Sequence, residues 1–82
     1  MKILYFAWLR EKVGVPYEEK DVKAVTAKDL IQELVEVDEK YAIAFSDLKS
    51  IRVAVDQKLV QDIATSIKNA KEIAFFPPMT GG

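Results

Sequence analysis

Apolar residues recur along this chain in three patterns, and each pattern predicts a different element. Residues 3–8 form an unbroken apolar run of strand length, rich in aromatic side chains. Strand alternation puts Ile3, Tyr5 and Ala7 on one face and Leu4, Phe6 and Trp8 on the other, so both faces are apolar. Such a strand is either covered on both sides or keeps one face for a partner. Residues 9–13 can form one helical turn, stopped by Gly14, which readily supplies a positive φ. Val15-Pro16 opens a turn, and the charged residues 17–25, with scattered valines, predict a solvated edge strand.

The second pattern begins at Thr26. Thr26-x-x-Asp29 is a capping-box start in which Asp replaces the usual Glu or Gln. Leu30, Leu34 and Val37 follow at i, i+4 and i+7, flanked by Ile31 and Val35, with Lys28, Asp29, Gln32, Glu33 and Glu36 opposite. This spacing predicts an amphipathic packing helix whose buried stripe includes Val37. Residues 38–50 hold Tyr41, Ile43, Phe45 and Leu48 without clear periodicity and read as a loop with one helical turn. The third pattern, strict alternation, covers residues 51–55, with Ile51, Val53 and Val55 inward. Asp56-Gln57 sits at hairpin spacing, residues 58–60 return, and residues 61–68 are a polar connection containing Ile63 and Ile67. Asn69-Ala70 makes a turn before a last strand over residues 71–76, with Ile73 and Phe75 inward.

The order strand, strand, helix, strand, short strand, strand predicts an α+β fold: one mixed sheet of four to five strands with one main helix on one face. Alternation then leaves Phe6, Leu59 and Phe76 on the face opposite the helix, where they form an apolar patch unless a partner covers them. The expected organisation is a domain over residues 1–76 followed by an extended tail over residues 77–82.

With 82 residues, half of them hydrophobic, the chain is long enough for one domain that buries roughly 60–65% of its unfolded surface. Twelve Lys and Arg against thirteen Asp and Glu leave a net charge of −1, which gives bulk charge no pull toward nucleic acid or an anionic membrane. The opening apolar run is too short to span a bilayer and lacks a small-residue cleavage site, so a soluble cytoplasmic protein is expected. There is no Cys and no His, which removes thiolate nucleophiles, disulfides, thiolate or imidazole metal sites and the common neutral-pH base together. The acidic pairs Glu18-Glu19 and Asp38-Glu39 are adjacent in sequence and do not converge as acid and base carboxylates must. No bound cofactor and no metal are expected.

What remains is the end of the chain, Phe75-Phe76-Pro77-Pro78-Met79-Thr80-Gly81-Gly82. Two prolines cannot donate to a sheet ladder and stop the strand that contains Phe75. Six residues from Pro77 onward extend roughly 19–21 Å at about 3.1–3.5 Å per residue, enough to enter a narrow channel on another protein. A terminal carboxyl with a pKa near ~3.5 is an unreactive anion at neutral pH and needs activation, most directly as an acyl-adenylate made with ATP. The acyl group can then accept sulfur to give a thiocarboxylate, or be attacked by an amine. The diglycine lets a channel close on the backbone without meeting a Cβ.

The residues 74–82, Ala-Phe-Phe-Pro-Pro-Met-Thr-Gly-Gly, closely resemble the A-F-[FI]-P-P-[VM]-[ST]-G-G end of the small, MoaD-type sulfur-carrying subunit of molybdopterin synthase. Tyr5-Phe6-Ala7-Trp8-Leu9-Arg10-Glu11-Lys12-Val13-Gly14 resembles that family's F-A-x-x-R-E-x-x-G, and Ala54-Val55-Asp56-Gln57 its A-V-N-Q hairpin. The resemblance runs the length of the chain and implies a ubiquitin-like β-grasp fold. It further implies that Gly82 is adenylated by a ubiquitin-activating-like adenylyltransferase using ATP and converted to a thiocarboxylate. Sulfur then passes to cyclic pyranopterin monophosphate inside the large subunit, in a heterotetramer. Carried over, Gly81 and Thr80 line the partner's channel, Phe6, Leu59 and Phe76 dock, and Pro77, Pro78 and Met79 lead the tail in. The chain would be a sulfur-donating subunit with catalytic side chains on its partner. Asp56 in place of Asn, and Asn69-Ala70-Lys71-Glu72 in place of Asp-Gly-Asp-Glu, are departures at two turns. The alternatives are a sulfur carrier for another pathway such as thiamin thiazole synthesis, a ubiquitin-like protein modifier, and an interaction domain with an inert tail.

Overall fold

The computed structural model describes residues 1–78. Five strands, β1 (Lys2–Tyr5), β2 (Tyr17–Glu19), β3 (Arg52–Val55), β4 (Lys58–Val60) and β5 (Glu72–Phe76), form one sheet in the order β2-β1-β5-β3-β4. The central pair β1 and β5 is parallel, and the remaining pairings are antiparallel. Three helices, α1 (Trp8–Val13), α2 (Ala27–Val37) and α3 (Glu39–Ala44), bury Leu9, Val13, Leu30, Ile31, Leu34, Tyr41 and Ala44 against Ile3, Tyr5, Val53, Ile73 and Phe75 of the sheet. Phe75 anchors this layer, stacked on Tyr5 with ring centroids 6.3 Å apart and edge-on to Phe45 at 4.9 Å. The α+β expectation holds.

Local chemistry explains most of the boundaries. Thr26 Oγ1 accepts the Asp29 N–H at 3.1 Å, so the Thr half of the expected capping box starts α2. Gly14, at φ 97°, ends α1 in the left-handed region and donates its N–H to the Arg10 carbonyl at 2.8 Å. Asp56 and Gln57, at φ 48° and 70°, are the two positive-φ corners of the β3–β4 hairpin. The Asp56 carboxylate also accepts the N–H groups of Lys71 and Glu72 at 2.9 and 3.0 Å, tying the hairpin to the entrance of β5. Asn69, at φ 67°, makes the turn before β5, a role that Asn tolerates well. Both departures from the family's turn sequences therefore sit in well-formed turns.

Four expectations need correction. β1 ends at Tyr5; Ala7 is exposed at a turn, and Trp8 belongs to α1 and packs partly against the core. β2 covers three residues; Lys20 still exchanges backbone bonds with Met1 at 3.0 Å, and beyond it the chain leaves the sheet edge to reach α2. Val37 is 68% exposed, since the next residue, Asp38, turns the chain and N-caps α3 through the Lys40 N–H at 2.9 Å. Residues 38–50 hold a genuine helix, α3, and a 3-10 turn at Leu48–Ser50. Tyr41, Ala44 and Phe45, at i, i+3 and i+4, are its buried positions.

Glu18 also departs from a solvated edge. Its side chain points inward and accepts the Tyr5 hydroxyl at 2.9 Å and the Tyr41 hydroxyl at 2.5 Å, both on Oε2. Lys20 Nζ lies 4.0 Å from the other oxygen. Burial, then the hydrogen bond and negative charge of Glu18, raise the Tyr5 and Tyr41 hydroxyls well above the ordinary tyrosine range.

Candidate docking face and tail exit

The face of the sheet away from the helices carries the residues that strand alternation predicts for it. One row crosses all five strands through direct register partners: Tyr17, Leu4, Ala74, Ala54 and Leu59. The next position along β1 and β5 brings up Phe6 and Phe76. Alanines therefore occupy the middle of the face, and larger apolar side chains occupy its rim. The result is an open apolar depression of about 630 Å3 bounded by Leu4, Phe6, Ala54, Ala74, Phe76 and Pro77, with Pro78 beside them. Phe6 is 47% and Leu59 65% exposed, values that the isolated chain gains nothing by.

The charge on this face is graded. At the start of β1 and β5 the ladder places Lys2 between Glu19 and Glu72, and Lys2 Nζ lies 4.8 Å from the Tyr17 ring centroid. Toward the other end of β5 the face becomes apolar, and there the strand gives way to Pro77 and Pro78. The depression runs along β5 from Glu72 to Phe76, and its lining continues onto Pro77 and Pro78, where the strand ends.

Of the residues singled out in the sequence, Phe6, Phe76, Pro77 and Pro78 line the depression together. Leu59 lies on the same face, one strand beyond Ala54. Met79, Thr80, Gly81 and Gly82 lie outside the described residues. Sequence reasoning missed the floor, Ala54 and Ala74, and the contribution of Ala7 to the lining. Alternation beside inward Val53 and Phe75 could have placed both alanines, but not brought them together without the β3–β5 register. Among the described residues no group of His, Cys, Asp and Glu is placed to hold a metal ion, and no helix is long and apolar enough to cross a membrane.

A mixed five-strand sheet with parallel central strands, helices on one face and an open apolar outer face is the architecture of the ubiquitin-like β-grasp class. The ThiS family model matches residues 3–82, and the chain belongs to that family. Two curated relatives, from Haemophilus influenzae and Escherichia coli, are each 37% identical over all 82 residues and 99% of their own length. Both are named molybdopterin synthase sulfur carrier subunit. The crystal structure of SAMP1 from Haloferax volcanii superposes with a TM-score of 0.71 at 24% identity, covering 100% of this chain and 98% of its own. The putative molybdopterin converting factor subunit 1 of Pyrococcus furiosus gives 0.69 at 28% identity over 94% of both chains. The fold is the ubiquitin-like β-grasp.

Proposed function

We propose that this chain is a sulfur carrier of molybdenum cofactor synthesis, with Gly82 as its working residue. An adenylyltransferase related to ubiquitin-activating enzymes joins the Gly82 carboxylate to AMP, using ATP and releasing pyrophosphate. A sulfur donor displaces AMP and leaves a thiocarboxylate. The outer sheet face then docks on the large molybdopterin synthase subunit, Met79, Thr80 and Gly81 thread its channel, and the sulfur is delivered to cyclic pyranopterin monophosphate. The acid–base groups of the transfer belong to that subunit, consistent with a chain that has neither Cys nor His.

The observation that carries this reading is the shared location of the apolar depression and the exit of β5. A partner seated on Leu4, Phe6 and Phe76 also meets Pro77 and Pro78, which line the same depression. The relatives named molybdopterin synthase sulfur carrier subunit, 37% identical over 99% of their length, support this pathway over the other uses of an activated diglycine. Pro77 and Pro78 have restricted φ, which lowers the ordering cost of the arm from the usual 1–2 kcal/mol per residue, roughly.

The test is intact-mass analysis after co-expression with the adenylyltransferase and sulfur donor. One oxygen-to-sulfur exchange at the C-terminus is expected, and the sulfurated chain plus large subunit should convert the pterin precursor to a dithiolene. An unchanged mass with active partners overturns the carrier reading, and lysine-linked adducts would mark a protein modifier instead.

A further inference from the structure

Ala7 stands at the corner where β1 gives way to α1, with φ 55° and ψ −132°. The Leu9 N–H donates to the Phe6 carbonyl at 3.2 Å and closes a four-residue turn with Ala7 in its second position. These are the angles of a type II′ corner, a position dominated by Gly because a Cβ is strained there. Ala7 is also the N-cap of α1, where Ser, Thr, Asp and Asn outrank Ala, and it makes no side-chain capping bond. Local rules favour Gly on the first count and a polar residue on the second. Alanine satisfies neither.

Ala7 lines the depression beside Phe6, Phe76 and Pro77. Because the residue is exposed, its methyl adds nothing to the core of the free chain. Strain kept at an exposed position of an apolar face, with no return in the isolated molecule, points to a return in the complex.

We infer that Ala7 is a docking residue: its methyl packs against the large synthase subunit, and its strained corner holds the Phe6 ring in fixed relation to the exit of the tail. The inference rests on the docking reading above. A confined backbone at residue 7 leaves less freedom to lose when the partner seats, whereas Gly at the same place would release both the strain and the ring.

The experiment compares the parent chain with Ala7→Gly and Gly14→Ala, measuring the urea midpoint of each and its calorimetric affinity for the large subunit encoded in the same genome. Ala7→Gly should raise the midpoint yet weaken binding about three- to tenfold, the scale of one buried methyl plus lost pre-organisation. Gly14→Ala, at φ 97° and away from the depression, should lower the midpoint and leave affinity unchanged. An Ala7→Gly chain that binds as tightly as the parent, or is no more stable, overturns the assignment to Ala7. So does an equal affinity loss in Gly14→Ala. A parent chain that fails to bind at all overturns the docking reading itself, and the Ala7 assignment with it.

Discussion

Tyr41 donates its hydroxyl to the Glu18 carboxylate at 2.5 Å, joining α3 to the edge strand β2 across 23 residues of sequence. Tyr5, from β1, donates to the same oxygen. In the folded chain both hydroxyls hold their protons to higher pH than the ordinary tyrosine value of 10.0, because burial and the neighbouring carboxylate oppose a second negative charge. The folded state thus binds more protons than the unfolded state once pH passes about 10, and stability falls with rising pH from there. Urea midpoints from pH 8 to 11 should be level up to about pH 10 and then decline. Replacing Tyr41 with Phe should lower the unfolding free energy at neutral pH by about 1.5–3 kcal/mol, as for a hydrogen bond to a charged acceptor, and flatten the alkaline decline.

Adjacent phenylalanines on β5 should behave in opposite ways. Phe75 is fully buried between Tyr5 and Phe45, so Phe75→Ala should cost about 3–5 kcal/mol, much of the stability of a domain this size. Phe76 faces the depression, and Phe76→Ala should leave folding within about 1 kcal/mol while weakening large-subunit binding by roughly 30-fold or more. Circular dichroism melts and binding titrations on the two variants separate the effects.

Leu59→Asp tests the far rim of the same face. At 65% exposure the substitution should not unfold the chain, yet it places a carboxylate on the apolar face proposed to dock. Binding to the large subunit should fall at least tenfold, read by the same titration.

Asp56 joins two turns through one carboxylate. Asp56→Ala leaves the Lys71 and Glu72 N–H groups without their acceptor and places Ala at φ 48°, so a loss of about 1–3 kcal/mol in unfolding free energy is expected from urea titration. Asp56→Asn keeps an acceptor oxygen and tolerates the left-handed corner, and should recover most of that loss.

Removing the Thr26 hydroxyl in Thr26→Ala should cost about 1 kcal/mol, through the N-cap bond to Asp29, with no change in affinity for the large subunit.

What the sequence revealed follows from the range over which each signal acts. Leu30 and Leu34, Val53 and Ile73 were legible because periodicity is local and the core rewards it. Phe6 and Phe76 were legible as outward by the same alternation. Val37 was misread because it is the last residue of α2, where the chain turns at Asp38 although the apolar spacing is still in register. α3 was hidden by exposed Ile43, which blurs the spacing of Tyr41, Ala44 and Phe45, although Asp38 is a sound N-cap signal. Glu18 and Ala7 could not be read locally at all. The inward position of Glu18 is stabilised by tyrosines 13 and 23 residues away, and the corner at Ala7 is held by the Phe6 N–H bonded to the Phe75 carbonyl at 3.1 Å.

β5, the last strand of the sheet in sequence, is also its middle strand, pairing on one side with β1 and on the other with β3. While the chain is still leaving the ribosome, β1 with β2 and β3 with β4 are two separate ribbons, each too small to be stable alone. They become one sheet only when residues 72–76 slot between them. A nascent or truncated product lacking β5 also lacks Phe75, so the helices that pack on that ring have no sheet centre to cover, and such a product should be cleared by proteases. Completion of the sheet therefore waits on residues 72–76, the strand that also carries Phe76 on the outer face.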